Sequence, residues 1–209
     1  MLWSSRLSRI TGYWRFKSLD LKHALLSAYN NLSTTFFKKG DYDNSLYYGK
    51  QKLKLAIKSG SKRDIASAQD TIAHSYNIRG DYTKAIEMKE SALAFYTDLN
   101  NDRMLERILH SLGNMYFDVG RLDESLKSYM KGLELARKIK LKDSISSGCN
   151  RIGAIYYEMG DFDKAAEFIE EAIKLDEEIG RDLHKKVSML ELFACYKNLN
   201  KEFDLQKIK

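Results

Sequence analysis

Glycine recurs at a fixed step of 40 residues, at Gly40, Gly80, Gly120 and Gly160, and Asn200 stands on the next step. A step sustained this long marks one supersecondary unit repeated along the chain, because a lone unit of that size has no means of burying its apolar face. Asparagine is the usual substitute where glycine supplies left-handed backbone, so Asn200 fits the same turn. Other columns keep the step. Four residues before the turn stand Phe36, Tyr76, Tyr116, Tyr156 and Tyr196, and eight before it Leu32, Ile72, Leu112, Ile152 and Leu192. Seven before it the residues are small (Ser33, Ala73, Gly113, Gly153) until Phe193. Five after it they are small again (Ser45, Ala85, Ser125, Ala165) until Leu205. Thirteen after it stand Leu53, Leu93, Leu133 and Ile173.

Each unit reads as two helices. Leu109, Leu112 and Tyr116 recur at spacings of three and four, the period of one helix face. The glycine ends that helix, and an acidic residue just after it, such as Asp81 or Asp161, is placed to cap the next. The second helix carries its own stripe, as in Leu126, Tyr129, Met130, Leu133 and Ala136, and a polar link such as Asn100–Asn101–Asp102 leads to the next unit. The chain contains no proline, so nothing interrupts helix along its length. Runs of β-branched residues typical of strands are absent, and the fold class is all-α. The paired small columns predict where two helices approach closely.

These residues resemble the tetratricopeptide repeat family. The pattern appears as Leu109, Leu112–Gly113, Tyr116, Gly120, Ser125 and Tyr129. A second copy is Ile152–Gly153, Tyr156, Gly160–Asp161–Phe162, Ala165 and Ala172, and a third is Ile72–Ala73, Tyr76, Gly80–Asp81–Tyr82, Ala85 and Ala92. The family repeat is about 34 residues; the step here matches its long-helix variants, and the family proline is missing throughout. The resemblance implies a right-handed superhelical solenoid of antiparallel helix pairs. Residues 21–209 are expected to form about four 40-residue hairpins and a terminal partial repeat. Residues 1–20 are expected to be a degenerate half-repeat helix or an N-terminal extension, with an Arg- and Ser-rich targeting segment as the rival reading. Neither end supplies a clear polar cap, which suggests part of a longer array or an end-to-end homo-oligomer.

Charge is unevenly spread. Residues 1–63 hold 13 Lys/Arg against 3 Asp/Glu, whereas residues 64–209 hold 22 against 26. A basic end attracts acidic proteins, membrane surfaces or nucleic acid, but no basic helix with interleaved groove-reading residues stands out, so a solvated lysine face is expected and nucleic acid is not. No run approaches the ~20 apolar residues of a membrane span. Cys149 and Cys195 lack metal or disulfide-framework spacing and are expected to be reduced and buried in a cytoplasmic protein.

No catalytic or metal constellation emerges. The histidines His23, His74, His110 and His184 lack zinc-helix spacing, and the glycines serve turns rather than a phosphate loop. The expectation is no enzyme and no cofactor, but a scaffold or adaptor for a protein or extended peptide. The alternative is a sensing module of a larger bacterial-type signalling or transcriptional regulator.

In the resembled family the first helix of each pair lines the concave surface. Its exposed rows here are Asn30, Asp70, His110 and Asn150; Thr34, His74, Asn114 and Ala154; and Phe37, Asn77, Phe117 and Tyr157. Asparagines donate and accept, which suits the backbone of an extended peptide, and the aromatics offer anchor contacts. If His74 and His110, in neighbouring repeats, face one another, binding of an acidic ligand weakens as pH rises through the histidine range.

Overall fold

The structure, a computed structural model, describes residues 21–200, and all regular structure among them is helical. After α1 (21–38) come α2 (Tyr42–Ser59), α3 (Lys62–Ile78), α4 (Tyr82–Asp98), α5 (Asp102–Asp118), α6 (Leu122–Lys138), α7 (Lys142–Glu158), α8 (Phe162–Ile179) and α9 (Asp182–Asn198). The expectations for residues 1–20 and 201–209 lie outside the described residues. The chain divides into two compact units, Met1–Phe95 and Tyr96–Lys209.

The turn glycines behave as the repeat demands. Gly80 has φ +80° and Gly160 has φ +81°, and Asn200 takes the same left-handed region at φ +52°. Around Gly80 its own N–H donates to the Asn77 carbonyl at 3.0 Å and the Asp81 N–H donates to the Tyr76 carbonyl at 3.0 Å. This pair of bonds satisfies the last carbonyls of α3 and closes the helix. Asp161 caps α8 as expected, its carboxylate accepting from the Lys164 N–H at 3.2 Å, and Asp41 caps α2 likewise at 3.1 Å.

The structure adds a half-step. Left-handed residues also stand midway between the glycines: Gly60 (φ +71°), Asn100 (+49°), Lys140 (+57°) and Gly180 (+74°). The link between repeats is therefore the same kind of turn as the link within them. The Lys140 N–H donates to the Arg137 carbonyl at 3.1 Å and the Leu141 N–H to the Ala136 carbonyl at 2.9 Å. Both helices of a repeat have matched lengths because both are stopped by one device.

The small columns are the seams of the helix pairs. In the first unit the Ser33 hydroxyl donates to the Ser45 carbonyl across α1 and α2 at 2.8 Å. In the second unit the Ser125 hydroxyl donates to the Gly113 carbonyl across α5 and α6 at 2.8 Å. Between these seams lie the cores. Ala66, Ala68, Ile72 and Ala73 of α3 are buried in the first unit. In the second unit Tyr129, Leu133, Ile145, Cys149, Ile152 and Ile155 form one cluster, and Ala165, Ile169, Leu192 and Cys195 another. Both cysteines are free thiols and buried, and burial raises the Cys149 thiol to about 12. Met130 departs from the expected α6 stripe: it is 42% exposed, one position off the face that Tyr129 and Leu133 bury.

Candidate binding faces on the first helices

In the first unit the row residues converge on a cavity of about 230 Å³, lined by Thr34, Phe37, Ser45, Asp70, Thr71 and His74. The Phe37 ring meets Tyr42 edge-on at 5.5 Å and His74 at 6.4 Å. The Asp70 carboxylate accepts from the Lys89 ammonium, which is only 2% exposed and also lies 3.3 Å from the His74 Nε2. Lys89 stands in a column that elsewhere holds Gly49, Tyr129 and Ile169, so this repeat has put a charge where its neighbours bury volume. Asp70 is its counter-charge, as a buried ammonium requires. Asn30 is engaged in the same way: its Oδ1 accepts from the Lys52 ammonium at 2.8 Å, which also donates to the Ser67 hydroxyl at 2.8 Å. Burial holds the Lys52 pKa below the usual lysine value, and the charges of Asp64 and Asp70 oppose that shift. Asn77 differs. Its Oδ1 is buried and has no hydrogen-bond partner.

In the second unit His110 and Asn114 of α5 close on Tyr129 of α6. The Tyr129 hydroxyl donates to the Asn114 Oδ1 at 2.6 Å, and the His110 ring stands edge-on to the Tyr129 ring at 5.2 Å. Phe117 packs against the core cluster. Asn150 of α7 donates its Nδ2 to the Ser188 hydroxyl and the Glu191 carboxylate of α9, both at 2.8 Å. The Tyr157 hydroxyl accepts from the Asn198 Nδ2 at 3.2 Å, and its ring borders a cavity of about 260 Å³. The structure thus gathers Thr34, Phe37, Asp70 and His74 in one unit, and His110, Asn114 and Tyr129 in the other. The hydrogen-bonding capacity of Asn30, Asp70, Asn114 and Asn150 is largely turned inward, to other side chains.

Desolvation, with the Arg151 charge as a smaller cause, pushes the His110 pKa below the ordinary imidazole value. The folded chain therefore refuses a proton that the unfolded chain accepts. Stability from this group is fully present above pH ~6.5 and is lost as pH falls through and below that value. His110→Gln is expected to flatten that loss. Urea unfolding at pH 5.5 and 7.5 reads it as a smaller pH difference in the variant than in the wild type.

Among the described residues no group of three or more His, Cys, Asp or Glu is placed to hold a metal ion, and no helix is long and apolar enough to cross a membrane. Lys89, which bonds the cavity-lining Asp70, and Glu158 and Glu191, which line the second cavity, are charged side chains that the repeat columns do not single out. The signal for Lys89 is a charge in an otherwise buried column; the two glutamates stand in columns of mixed character and leave no mark.

Helices of matched length, closed by left-handed turns and paired along small-residue seams, define an all-α helical-repeat protein of tetratricopeptide type. The profile described as the MalT-like TPR region matches residues 32–194, and the chain belongs to that family. Among curated proteins it is 31% identical over 132 residues to outer dynein arm-docking complex subunit 4 of Xenopus laevis, covering 62% of this chain and 24% of that protein. It is 23% identical over 158 residues to human tetratricopeptide repeat protein 29, covering 75% of this chain and 33% of that one. The chain thus spans a quarter to a third of the length of these relatives. Among solved structures BtubC (BKLC) from P. vanneervenii superposes with a TM-score of 0.78 at 19% identity, covering 94% of this chain and 80% of that one, a likeness of fold.

Proposed function

We propose that the chain is a protein-binding scaffold that takes extended peptide segments of its partners on the faces formed by its first helices. The observation that carries the reading is a cavity in each unit at the same repeat positions. Thr34, Phe37 and His74 border one, and Ala154 and Tyr157 the other, all three or six residues before a turn glycine. Aromatic rings beside open cavities supply rigid anchor contacts. The similarity to a subunit named for a docking complex supports a place within a multi-protein assembly. No catalytic role is part of the proposal.

Affinity capture tests it. Thr34→Arg and Ala154→Arg fill the two cavities without removing a buried hydrogen bond. Proteins retained by the wild type are expected to be lost from the double variant at equal thermal stability. Equal retention by both would move the interaction off these faces.

A further inference from the structure

The second-unit cavity has a composition that selects its occupant. It is lined by Ala154, Tyr157 and Glu158 of α7, Ile169 of α8, and Glu191 and Ala194 of α9. Its floor is apolar: two alanines, an isoleucine and the face of a tyrosine ring. Two carboxylates, Glu158 and Glu191, line it as well, and no lysine, arginine or histidine is among the described residues that do. Glu158 is exposed and is the last residue of α7, so the negative end of that helix lies at the same cavity. Glu191 is aimed by the Asn150 Nδ2 at 2.8 Å. The Tyr157 ring is fixed from two sides, by the Asn198 amide at 3.2 Å and by the Phe162 ring at 5.2 Å.

We infer that this cavity is a subsite for a basic side chain, arginine or lysine, of a bound partner segment. The inference rests on the reading of the first-helix faces as peptide-binding surfaces and adds the chemistry one of them selects. A volume of about 260 Å³ falls below the ~300–1,000 Å³ of sites that enclose a whole small molecule, and it suits a single inserted side chain. The methylene stem of lysine or arginine lies along an apolar floor while the charged head stays at the polar rim. There the cation meets two carboxylates, the helix terminus and an aromatic face, each of which attracts positive charge. An acidic side chain meets like charge, and a purely apolar one leaves the carboxylates unused. Asn150 acts as a positioning residue through Glu191.

The test is selection of a random linear peptide library, displayed on phage, against the full chain. The recovered peptides are expected to share an arginine or lysine at one position. A synthetic copy of the best one is then titrated by fluorescence polarisation. Changing its basic residue to norleucine, or changing the chain by Glu158→Gln with Glu191→Gln, is expected to weaken binding about tenfold or more, as for a close charge pair. Because the two changes remove the same interaction, combining them is expected to add little further. The glutamine variants keep side-chain shape, and an unchanged thermal melt confirms that they fold. Peptides that bind without a shared basic residue and ignore the glutamine variants overturn this inference while leaving the peptide-binding face intact. Recovery of no peptide at all overturns both.

Discussion

Asp176→Ala is expected to be among the most damaging single substitutions in the second unit, at a cost of about 3–5 kcal/mol, the range for removing one partner from a buried ionic network. Asp176 stands near the end of α8 and has no exposed surface. Its carboxylate accepts from the Ser146 hydroxyl of α7 and bonds the His184 Nδ1 of α9, with Arg181 Nη1 3.7 Å away. Three helices thus meet on one carboxylate. Alanine leaves the Ser146 hydroxyl and the His184 ring facing an apolar gap, and the repeat partners they join lose their tie. Asp176→Asn keeps the shape and some of the bonds, so it is expected to cost markedly less. Chemical unfolding followed by circular dichroism ranks the two variants against the wild type. Equal loss from both would assign the effect to charge rather than to the missing bonds.

Gly153→Val is the second substitution with a large expected effect, about 3 kcal/mol, at the upper end of overpacking costs. A Cβ at Gly153 would stand 2.6 Å from the Ile169 Cγ1 and 3.1 Å from the Ala165 carbonyl oxygen. Ile169 is 1% exposed and sits inside the second core cluster, so it gives way only toward the cavity it borders and at the cost of its packing. The carbonyl belongs to the backbone of α8 and yields only if the helix pair parts. Gly148 on the same helix is the control. There a Cβ meets only Leu133 atoms at 3.7 and 3.9 Å, ordinary contact. Gly148→Ala is expected to stabilise the second unit by up to about 1 kcal/mol, because alanine loses less backbone freedom in a helix than glycine does. Thermal melts of the two variants should move in opposite directions.

The contrast between these glycines shows what is legible in the sequence. Gly153 belongs to a column of small residues opposite another small column, and that pairing marks a helix contact in the residue pattern itself. Gly148 also stands in a mostly small column, with Ala28, Ala68 and Ser188 and broken by Ile108, but it faces Leu133 of a leucine column rather than a second small one. Backbone requirements recur in every repeat and so leave a periodic mark. The turn glycines and Asn200 are readable for that reason. The half-step turns are harder to read, because Lys140 takes a left-handed position in the column of Gly60, Asn100 and Gly180 and interrupts it.

Electrostatic features follow the opposite logic. Lys52 stands among Ala92, Gly132 and Ala172, and Lys89 among Gly49, Tyr129 and Ile169. Each is a local exception, answered by a residue of the polar first-helix row: Asn30 for Lys52, Asp70 for Lys89. Column averages hide such pairs. For the same reason the polar rows of the first helices read as ligand-facing, whereas much of their bonding capacity is turned inward. The proposed partner-facing surface is better marked by Thr34, Phe37, His74, Ala154 and Tyr157, which border open space.

Binding on the first-helix faces is tested most sharply by site-specific photo-crosslinking of the full chain in its native extract. A benzophenone amino acid replaces Phe37 or Tyr157 on those faces, or the exposed second-helix residues Lys54 and Lys131 as controls. One partner protein is expected to crosslink from both Phe37 and Tyr157, with little from Lys54 or Lys131. A partner crosslinked from Lys54 and Lys131 but not from Phe37 or Tyr157 would place the binding surface on the second helices and contradict the proposed function.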